Sequence, residues 1–333
     1  MDLKTLCELN GPSGSEAPVR KAIYAAALEK CDNVRIDRLG NVICFKKGYK
    51  EDAPHVALSA HMDEVGFIVV GHTDDGMLRI RPIGGIDPRV VVSKWVKVGE
   101  VPGVIGAKAI HLQSAADREK VLDYDGLYID IGAKDKKEAE DACPLGSYAS
   151  FDACYEPLGD GLIVSKALDD RVGCYNLLRL LENDYPCDLS IAFVTGEEVG
   201  LRGSQGAAFA ISPDIAVVLE GTAANDLGDT KERFKVCSVG EGVCVSFMDR
   251  ASIADRELFK TMLRVAEENG IRAQVKRGVT GGNDAGSYQR AGAGCRTVVL
   301  SVPCRYIHSS SNVACLSDIE SQYLLADAFL KQA

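Results

Sequence analysis

The sequence lacks the features that mark several broad classes of protein. No apolar run approaches the ~18 residues that a membrane-spanning helix requires, so we expect no transmembrane segment. The opening MDLKTLCELNG has neither a basic region nor a continuous apolar one, and we therefore expect no secretory signal and a cytoplasmic location. Internal repeats and low-complexity tracts are also absent, which argues against a solenoid.

Paired cysteines and basic clusters are missing as well. The 12 cysteines are scattered without a CxxC pair, and most lie in apolar segments such as NVICF. This pattern is typical of buried free thiols in a reducing compartment rather than a zinc knuckle or a disulfide framework. The net charge of -10 comes without a visible basic patch, so we expect no binding to nucleic acid.

The order of the predicted elements indicates an α/β domain with an insertion. Strands and helices alternate up to about residue 66 and again from about residue 162. Between these points, runs of valine and isoleucine are broken by glycine and proline, with little helical periodicity. We therefore predict an α/β domain formed by 1–66 and 162–333, with a mixed sheet and helices on both faces, and an inserted β-rich, barrel-like domain over 67–161. Serine and glutamate at capping-box spacing predict helix starts at Ser13–Glu16 and Ser317–Glu320.

Five predicted strands end in an acid or a histidine. Ligands of open α/β sheets collect beyond the carboxyl ends of the strands. The residues that these strands deliver there are His61, Asp63, Asp169, Glu197, Glu198, Glu220 and His308. Taken singly, a histidine at a strand end more often makes an ordinary hydrogen bond, Asp169 could cap a helix, and Glu197 with Glu198 could be a solvated loop. Their coincidence at one edge of the sheet favours a common site.

This group of side chains suits divalent metal ions. Imidazoles and carboxylates in one place would include several mutually repelling negative charges unless a cation were bound. Oxygen and imidazole donors without thiolate suit zinc, manganese or cobalt, and an acid that can bridge suits a pair of ions. His61 and Asp63 lie two apart in an extended segment, so we predict that Asp63 hydrogen-bonds the far ring nitrogen of His61. Our hypothesis for the adjacent acids is that Glu198 binds metal, while Glu197 moves a proton from a nucleophilic water to the leaving amine.

Several motifs resemble one peptidase family along nearly the whole chain. In order they are NGPSGSEAPVR, SAHMDEVGF, KALDDRVG, VTGEEVGLRGS, LEGTAANDLG, GGNDAGS and RYIHS. Their order, their spacing and the position of the β-rich insert are similar to those of the TET-type metalloaminopeptidases. This family is the glutamyl aminopeptidase and endoglucanase M-like branch of the dinuclear zinc peptidases.

The resemblance implies a cytosolic hydrolase that removes N-terminal residues from peptides with two divalent ions per subunit, zinc or alternatively cobalt or manganese. The roles that it implies are His61 and Glu220 as terminal ligands of one ion, Glu198 and His308 as terminal ligands of the other, Asp169 as the bridge, Glu197 as the general acid/base and Asp63 as the support of His61. It also implies a cis peptide bond between Asp169 and Asp170. The insert is expected to mediate a dimer and then a tetrahedral dodecamer that admits only unfolded peptides.

Two positions depart from the family pattern. Glu220 stands where many members have aspartate, and we expect the longer side chain to affect metal selectivity and binding of the substrate amine. Asn283 stands where threonine is common, which leaves side-chain preference open. The residues that we expect to contact substrate are Arg250, Gly282, Asn283 and Asp284.

Other functions are compatible with parts of this pattern. A di-zinc carboxypeptidase or a deacylase of small amides would keep the metals, but the long insert before Asp169 and the HMDEVGF context favour an aminopeptidase. An endoglucanase could use Glu197 and Glu198 as carboxylates about 5–9.5 Å apart, yet it would have no use for the histidines. An inactive scaffold would have lost a ligand or the base, and none is lost.

Overall fold

The computed structural model describes residues 1–333, except for the side chain at position 117. The helices are α1 (Leu3–Glu8), α2 (Ala17–Ala27), α3 (Ala115–Glu119), α4 (Lys136–Ala142), α5 (Leu168–Leu180), α6 (Arg202–Ile211), α7 (Arg256–Glu268), α8 (Ala285–Arg290) and α9 (Leu316–Leu330). The strands are β1 (Asn33–Ile36), β2 (Val42–Lys46), β3 (His55–His61), β4 (Gly66–His72), β5 (Leu78–Ile83), β6 (Trp95–Val98), β7 (Val101–Ala107), β8 (Leu127–Asp130), β9 (Tyr148–Phe151), β10 (Glu156–Leu158), β11 (Leu162–Ser165), β12 (Asp188–Val194), β13 (Ile215–Ala223), β14 (Val243–Ser246), β15 (Ala273–Lys276), β16 (Arg296–Arg305) and β17 (Asn312–Cys315).

A large mixed sheet forms the α/β part of the molecule, which confirms the predicted fold class. Its strands follow the order β1-β2-β12-β3-β13-β16-β17-β11-β10, and β14 and β15 extend from β16. Four neighbouring strands of this sheet, β12, β3, β13 and β16, run parallel. Their carboxyl ends therefore meet at one edge, where open α/β sheets place their ligands.

Both faces of the central strands are buried under helices, as parallel strands require. Leu58 and Val217 belong to one apolar cluster with side chains of α2, α5, α7 and α9. Ala57, which precedes Leu58, and Val218, which follows Val217, belong to the cluster on the opposite face and pack there with Tyr288 of α8. This alternation fixes which side chains can reach the carboxyl edge.

The inserted segment forms a closed barrel. Within the described residues its strands follow the antiparallel order β4-β5-β8-β7-β6-β9. Alternate side chains fill its interior, among them Phe67, Ile80, Ile105, Ile129 and Phe151, each at most 1% exposed. Strand β10, which follows the barrel, pairs with β11 of the large sheet.

The two predicted capping boxes are wrong. α2 starts at Ala17, and Ser13 donates its hydroxyl proton to Asp63 instead of capping the helix. α9 starts one residue before Ser317, with no side-chain cap. The carboxylate of Asp318 accepts backbone N–H groups from the loop before β14, at 2.6 and 2.7 Å. At α2 a distant residue thus binds the serine that the local pattern assigns to the helix end. At α9 the hydroxyl of Ser317 lies 3.1 Å from Sγ of Cys315, and Glu320 pairs with Arg179 at 2.8 Å.

No helix in the described part of the chain is both long and apolar enough to cross a membrane.

Candidate metal centre

The structure brings the predicted ligand residues together at the carboxyl edge of the large sheet. His61 ends β3, and Glu198 lies in the loop that follows β12. Asp169 lies in the first turn of α5, just after β11, and His308 follows β16. Glu220 lies inside β13, which continues to Ala223. Strand order and parallel direction thus account for the convergence of residues that are far apart in the chain.

Asp169 lies between two pairs of side chains. Its Oδ1 is 3.5 Å from Nε2 of His61, and its Oδ2 is 3.7 Å from Nε2 of His308. Nε2 of His61 is also 3.7 Å from Oε2 of Glu220, whereas Nε2 of His308 is 3.3 Å from Oε2 of Glu198. These separations exceed those of most hydrogen bonds.

The donor set fits divalent ions. His61, Asp169 and Glu198 offer donor atoms that lie within 4.8 Å of one another, and His61, Asp170 and Glu220 do the same. Oε1 of Glu220 is buried and has no hydrogen-bond partner among the described residues. A buried carboxylate oxygen without a donor is unfavourable, and a bound cation removes that penalty. Nitrogen and oxygen donors without thiolate are typical of zinc, cobalt and manganese sites.

Asp170 is a buried neighbour of this centre that the sequence analysis left without a role. The peptide bond before it is cis, which confirms the expectation drawn from the family resemblance. Its carboxylate accepts the backbone N–H of His61 at 3.2 Å and that of Gly173 at 3.0 Å. Asp170 therefore joins the end of β3 to the start of α5 through main-chain contacts.

Asp63 contacts both His61 and the loop that carries the two glutamates. Nδ1 of His61 lies 3.1 Å from the main-chain oxygen of Asp63, whereas the carboxylate of Asp63 is 3.5 Å away. That carboxylate accepts the hydroxyl of Ser13 at 2.6 Å and the backbone N–H groups of Glu197 and Glu198 at 3.1 and 3.2 Å. Asp63 thus fixes the loop that carries both glutamates. Ser13 was missed because it lies 50 residues from its partner.

Burial and mutual charge shift the protonation of these groups. Burial alone would lower the pKa of His61, but the carboxylate of Asp169 and its neighbours raise that pKa well above the usual value. Burial also acts to lower the pKa of His308, but the carboxylates of Asp169 and Glu198 raise it to about 9. Burial raises the pKa of Glu197 well above its usual range and that of Glu198 to about 7. Protons held by such a cluster are released when a cation binds, because metal ligands bind in their deprotonated forms.

A cavity of ≈ 480 Å³ opens onto this centre. Of the four residues predicted to contact substrate, Gly282 and Asn283 line it. The side-chain amide of Asn283 donates to the carboxylate of Asp249 at 2.7 Å. Arg250 is exposed and is not among the residues of the cavity wall.

Asp284, the fourth predicted contact, is fully buried behind the cavity wall. Neither of its carboxylate oxygens has a hydrogen-bond partner within the described part of the protein. Burial raises the pKa of Asp284 to about 6, although the positive field of His61 and the nearby hydroxyl of Ser204 act in the opposite direction. Asp284 therefore lies beside Asn283 of the cavity wall without itself being part of that wall.

A second buried group of charges lies beside the centre and was not predicted. Nζ of Lys166 is 2.7 and 2.8 Å from the two carboxylate oxygens of Glu64. Arg171 is fully buried, donates to the main-chain oxygen of Met62 at 2.9 Å and lies 3.5 Å from Glu64. Gly11 donates its backbone N–H to the same carboxylate at 2.8 Å. We call Glu64, Lys166 and Arg171 the ion cluster. Its partners are more than 100 residues apart, so no local pattern reveals it.

Comparison with known families identifies the kind of protein in which this centre lies. The family model described as M42 glutamyl aminopeptidase matches residues 40–325. The chain belongs to this M42 family. It is accordingly an aminopeptidase, a hydrolase of peptide bonds, which confirms the class that the motifs indicated.

Curated M42 relatives match along almost their whole length. A putative aminopeptidase of Acetivibrio thermocellus is 34% identical over 96% of this chain and 94% of its own. A lysyl aminopeptidase of Pyrococcus furiosus is 32% identical over 99% of this chain and 96% of its own. A glutamyl aminopeptidase of Lactococcus lactis is 31% identical over 99% and 94%. Two relatives of similar identity are thus named for N-terminal residues of opposite charge, lysine and glutamate.

Solved structures agree with the fold. An aminopeptidase from the archaeon Desulfurococcus kamchatkensis superimposes with a TM-score of 0.94 at 33% identity, covering 99% of this chain and 94% of its own. The TET1 peptidase of Pyrococcus horikoshii, described as assembling into a tetrahedron or a large octahedral shell, gives a TM-score of 0.87 at 32% identity over 99% and 98%. The M42 fold of this chain therefore includes both the large sheet and the barrel.

Proposed function

We propose that this M42 aminopeptidase uses two divalent metal ions to remove one N-terminal residue at a time, with Glu197 as the general acid/base. The observation that carries the proposal is the position of Asp169, which presents one oxygen toward His61 and the other toward His308. A carboxylate shared in this way is the ligand that a pair of ions requires.

The proposed ligands divide into two sets around Asp169. His61 and Glu220 would hold one ion, and Glu198 and His308 would hold the other. When bound, the ions supply Lewis acidity that lowers the pKa of a water molecule and polarises the peptide carbonyl. Zinc is the expected metal, with cobalt and manganese as alternatives. Glu220, which stands at a position where aspartate is common, still offers a buried oxygen that lacks a donor in the described chain.

Glu197 is the residue to which we assign proton transfer. It lines the cavity beside Glu198 and Asp169, and its backbone N–H is held by Asp63. Its raised pKa suits a carboxyl group that accepts a proton and then returns it near neutral pH. We assign Glu197 the proton of the attacking water, which it then delivers to the leaving amine.

We also propose that the barrel mediates self-association into a dimer and then a tetrahedral dodecamer. It exposes large apolar side chains at Trp95, Ile110 and Val121, which are 61, 69 and 76% exposed. Such side chains are more typical of contact surfaces than of surfaces that stay in water. The assembly described for the P. horikoshii peptidase supports this proposal. We expect peptides to be the substrates of the present protein.

A cytoplasmic location belongs to the proposal as well. Each of the cysteines is a free thiol in the described structure, and most of them are buried. Free thiols persist in reducing compartments.

The proposed function is tested with a peptide that has a free N-terminus and with the same peptide N-acetylated. The metal-loaded enzyme should release the first residue of the free peptide only, and chelation should stop the reaction. Preference for the acetylated peptide would indicate a deacylase, and release from the other end of the peptide would indicate a carboxypeptidase. Either result would overturn the proposal.

A further inference from the structure

One turn of the barrel lies among the proposed metal ligands. Gly84 and Gly85 directly follow β5, a strand of the barrel, and we call them the glycine turn. Gly85 lines the cavity together with Glu198 and His308, which come from the α/β part of the chain. These two ligands are the pair assigned above to one of the two ions, which we call the second ion. The barrel therefore contacts the candidate metal centre on the side of the second ion.

Gly85 fixes the orientation of the His308 ring. Its main-chain oxygen lies 2.9 Å from Nδ1 of His308. Because a carbonyl oxygen can only accept a hydrogen bond, Nδ1 carries the proton, and Nε2 is the ring nitrogen that remains for a cation. The backbone of His308 has a φ of 59°, in the left-handed region that residues with a side chain seldom adopt. The contact with Gly85 thus helps to hold both the tautomer and the position of this ligand.

Gly84 lies against the other ligand of the second ion. Its φ is +82°, and a methyl group at this position would lie 2.8 Å from Cγ1 of Val65 and 3.3 Å from Cβ of Glu198. Val65 is 6% exposed and belongs to the apolar cluster inside the barrel, where close packing resists displacement. Only glycine combines this backbone conformation with so close an approach. A side chain here would shift the turn relative to Glu198 and, through Gly85, relative to His308.

The residue after the glycine turn anchors it in the barrel. Ile86 is 7% exposed and packs in the same apolar cluster as Val65. The main-chain oxygen of Ile86 accepts the hydroxyl of Tyr124 at 3.1 Å, and Tyr124 lies just before β8 of the barrel. The position of the turn therefore depends on the packing of the barrel.

The ligand pair of the other ion, which we call the first ion, has a different support. This pair is His61 and Glu220. Nδ1 of His61 lies 3.1 Å from the main-chain oxygen of Asp63, and the backbone N–H of His61 is bound by Asp170. Asp63 and Asp170 both belong to the α/β part of the chain. The side chain of His61 is 1% exposed, whereas that of His308 is 32% exposed. The first pair is thus held within the α/β part, and the second pair is held partly by the barrel.

We propose that the glycine turn positions the ligands of the second ion, so that Gly84 and Gly85 determine how tightly this ion is bound, whereas the first ion binds without the turn. This inference rests on the proposed function, which supplies the pair of ions. Groups that orient metal ligands through hydrogen bonds typically change metal affinity by about 10- to 100-fold. The barrel would then contribute to the metal centre itself, in addition to its proposed part in self-association.

Metal binding to Gly84→Ala tests the proposal. Calorimetric titration of the metal-free protein with zinc, together with metal analysis at buffered free zinc, should give two ions per subunit for the wild type. Gly84→Ala should bind the second ion about 10- to 100-fold more weakly and keep the wild-type affinity for the first. The matched control is Gly132→Ala, which lies after β8 of the barrel and has a similar φ of +77°. A methyl group at Gly132 would meet no described atom within 4 Å apart from its chain neighbours, so this variant should keep both affinities.

The outcomes separate this inference from the proposed function. Two ions bound with wild-type affinities in Gly84→Ala would overturn the role of the turn and leave the two-ion function standing. An equal loss of the second ion in Gly132→Ala would also overturn it, because strain in the barrel alone would then explain the effect. A wild type that binds fewer than two ions would overturn the proposed function itself.

A second variant decides the matter if circular dichroism shows that Gly84→Ala does not fold. Tyr124→Phe keeps the aromatic ring and removes only the hydroxyl that binds the main-chain oxygen of Ile86. It should weaken binding of the second ion by about 5-fold, the equivalent of one neutral hydrogen bond, and leave the first ion unaffected. Unchanged affinity for the second ion in Tyr124→Phe would then count against the glycine turn.

Discussion

The ion cluster and the metal centre are two groups of buried charges that lie side by side, yet they are arranged in opposite ways. In the ion cluster, Lys166 and Arg171 surround Glu64, and main-chain groups complete its contacts. At the metal centre the acids outnumber the positive side chains, and Glu220 keeps an oxygen that lacks a donor in the described chain. The first group is complete within the chain and serves the fold. The second is incomplete and is expected to bind a ligand.

Metal removal should have the largest effect of these tests, because it acts on the candidate metal centre and leaves the ion cluster intact. Dialysis against a chelator should abolish peptide hydrolysis, and added zinc, cobalt or manganese should restore it to different degrees. The free energy of unfolding should fall by about 3 kcal/mol for an ion present at 100 times its Kd. Metal analysis, hydrolysis assays and urea unfolding measure the three effects. Full activity in a metal-free preparation would contradict a metal centre.

The two adjacent glutamates should separate catalysis from metal binding. Glu197→Gln should lower kcat by about 100- to 10,000-fold and leave the metal content unchanged, because the amide cannot accept the proton. Glu198→Gln is the matched variant one residue along the same loop, and it should lower the metal content. Metal analysis of both proteins, with kcat for the first, gives the comparison. Loss of metal in Glu197→Gln, or none in Glu198→Gln, would reverse the assignment.

The ion cluster should respond in stability rather than in chemistry. Lys166→Met leaves Glu64 buried without its closest cation, and we expect the free energy of unfolding to fall by about 3–5 kcal/mol. Lys30→Met removes an exposed ion pair with Glu182 and should change stability by less than about 1 kcal/mol. Urea unfolding of the metal-free proteins measures both values. Equal effects of the two substitutions would mean that the ion cluster does not stabilise the fold.

Asp284 should affect stability in a way that depends on pH. Its folded-state pKa of about 6 lies above its ordinary value of 3.8, so the unfolded chain loses the proton first as the pH rises. The stability of the wild type should therefore fall between these two values, by up to about 3 kcal/mol. Asp284→Asn lacks this loss and should be the more stable protein at pH 7 but not at pH 4. Unfolding of metal-free protein at both values tests this, with the exposed Asp229→Asn as a control that should show no difference.

The parts of the site that lie at strand ends could be predicted from the sequence. An apolar run followed by an acid or a histidine identifies a strand and the residue that it delivers, as with His61 and Glu198. Parallel pairing of those strands then brings such residues to one edge. The resemblance to the family's motifs also predicted the cis peptide bond before Asp170. It identified Glu220 and Asn283 as residues that differ from those common in the family.

Contacts between distant segments could not be predicted. Ser13 fits a capping-box pattern locally, but its hydroxyl donates a hydrogen bond to Asp63. Near His61, the main-chain oxygen of Asp63 lies closer to the ring than its carboxylate does, and spacing alone does not predict this difference.

The cavity has two walls of independent origin. The wall that holds the loop of Glu197 is fixed by Asp63, whose single carboxylate binds the backbone of both glutamates. The opposite wall comes from β15 and the segment before α8, which share no hydrogen bond with that loop in the described structure. We therefore expect substitutions in the second wall to change the shape of the cavity and to leave the loop of Glu197 in place. A lineage built on this scaffold would then change its substrates through one wall and keep its reaction through the other.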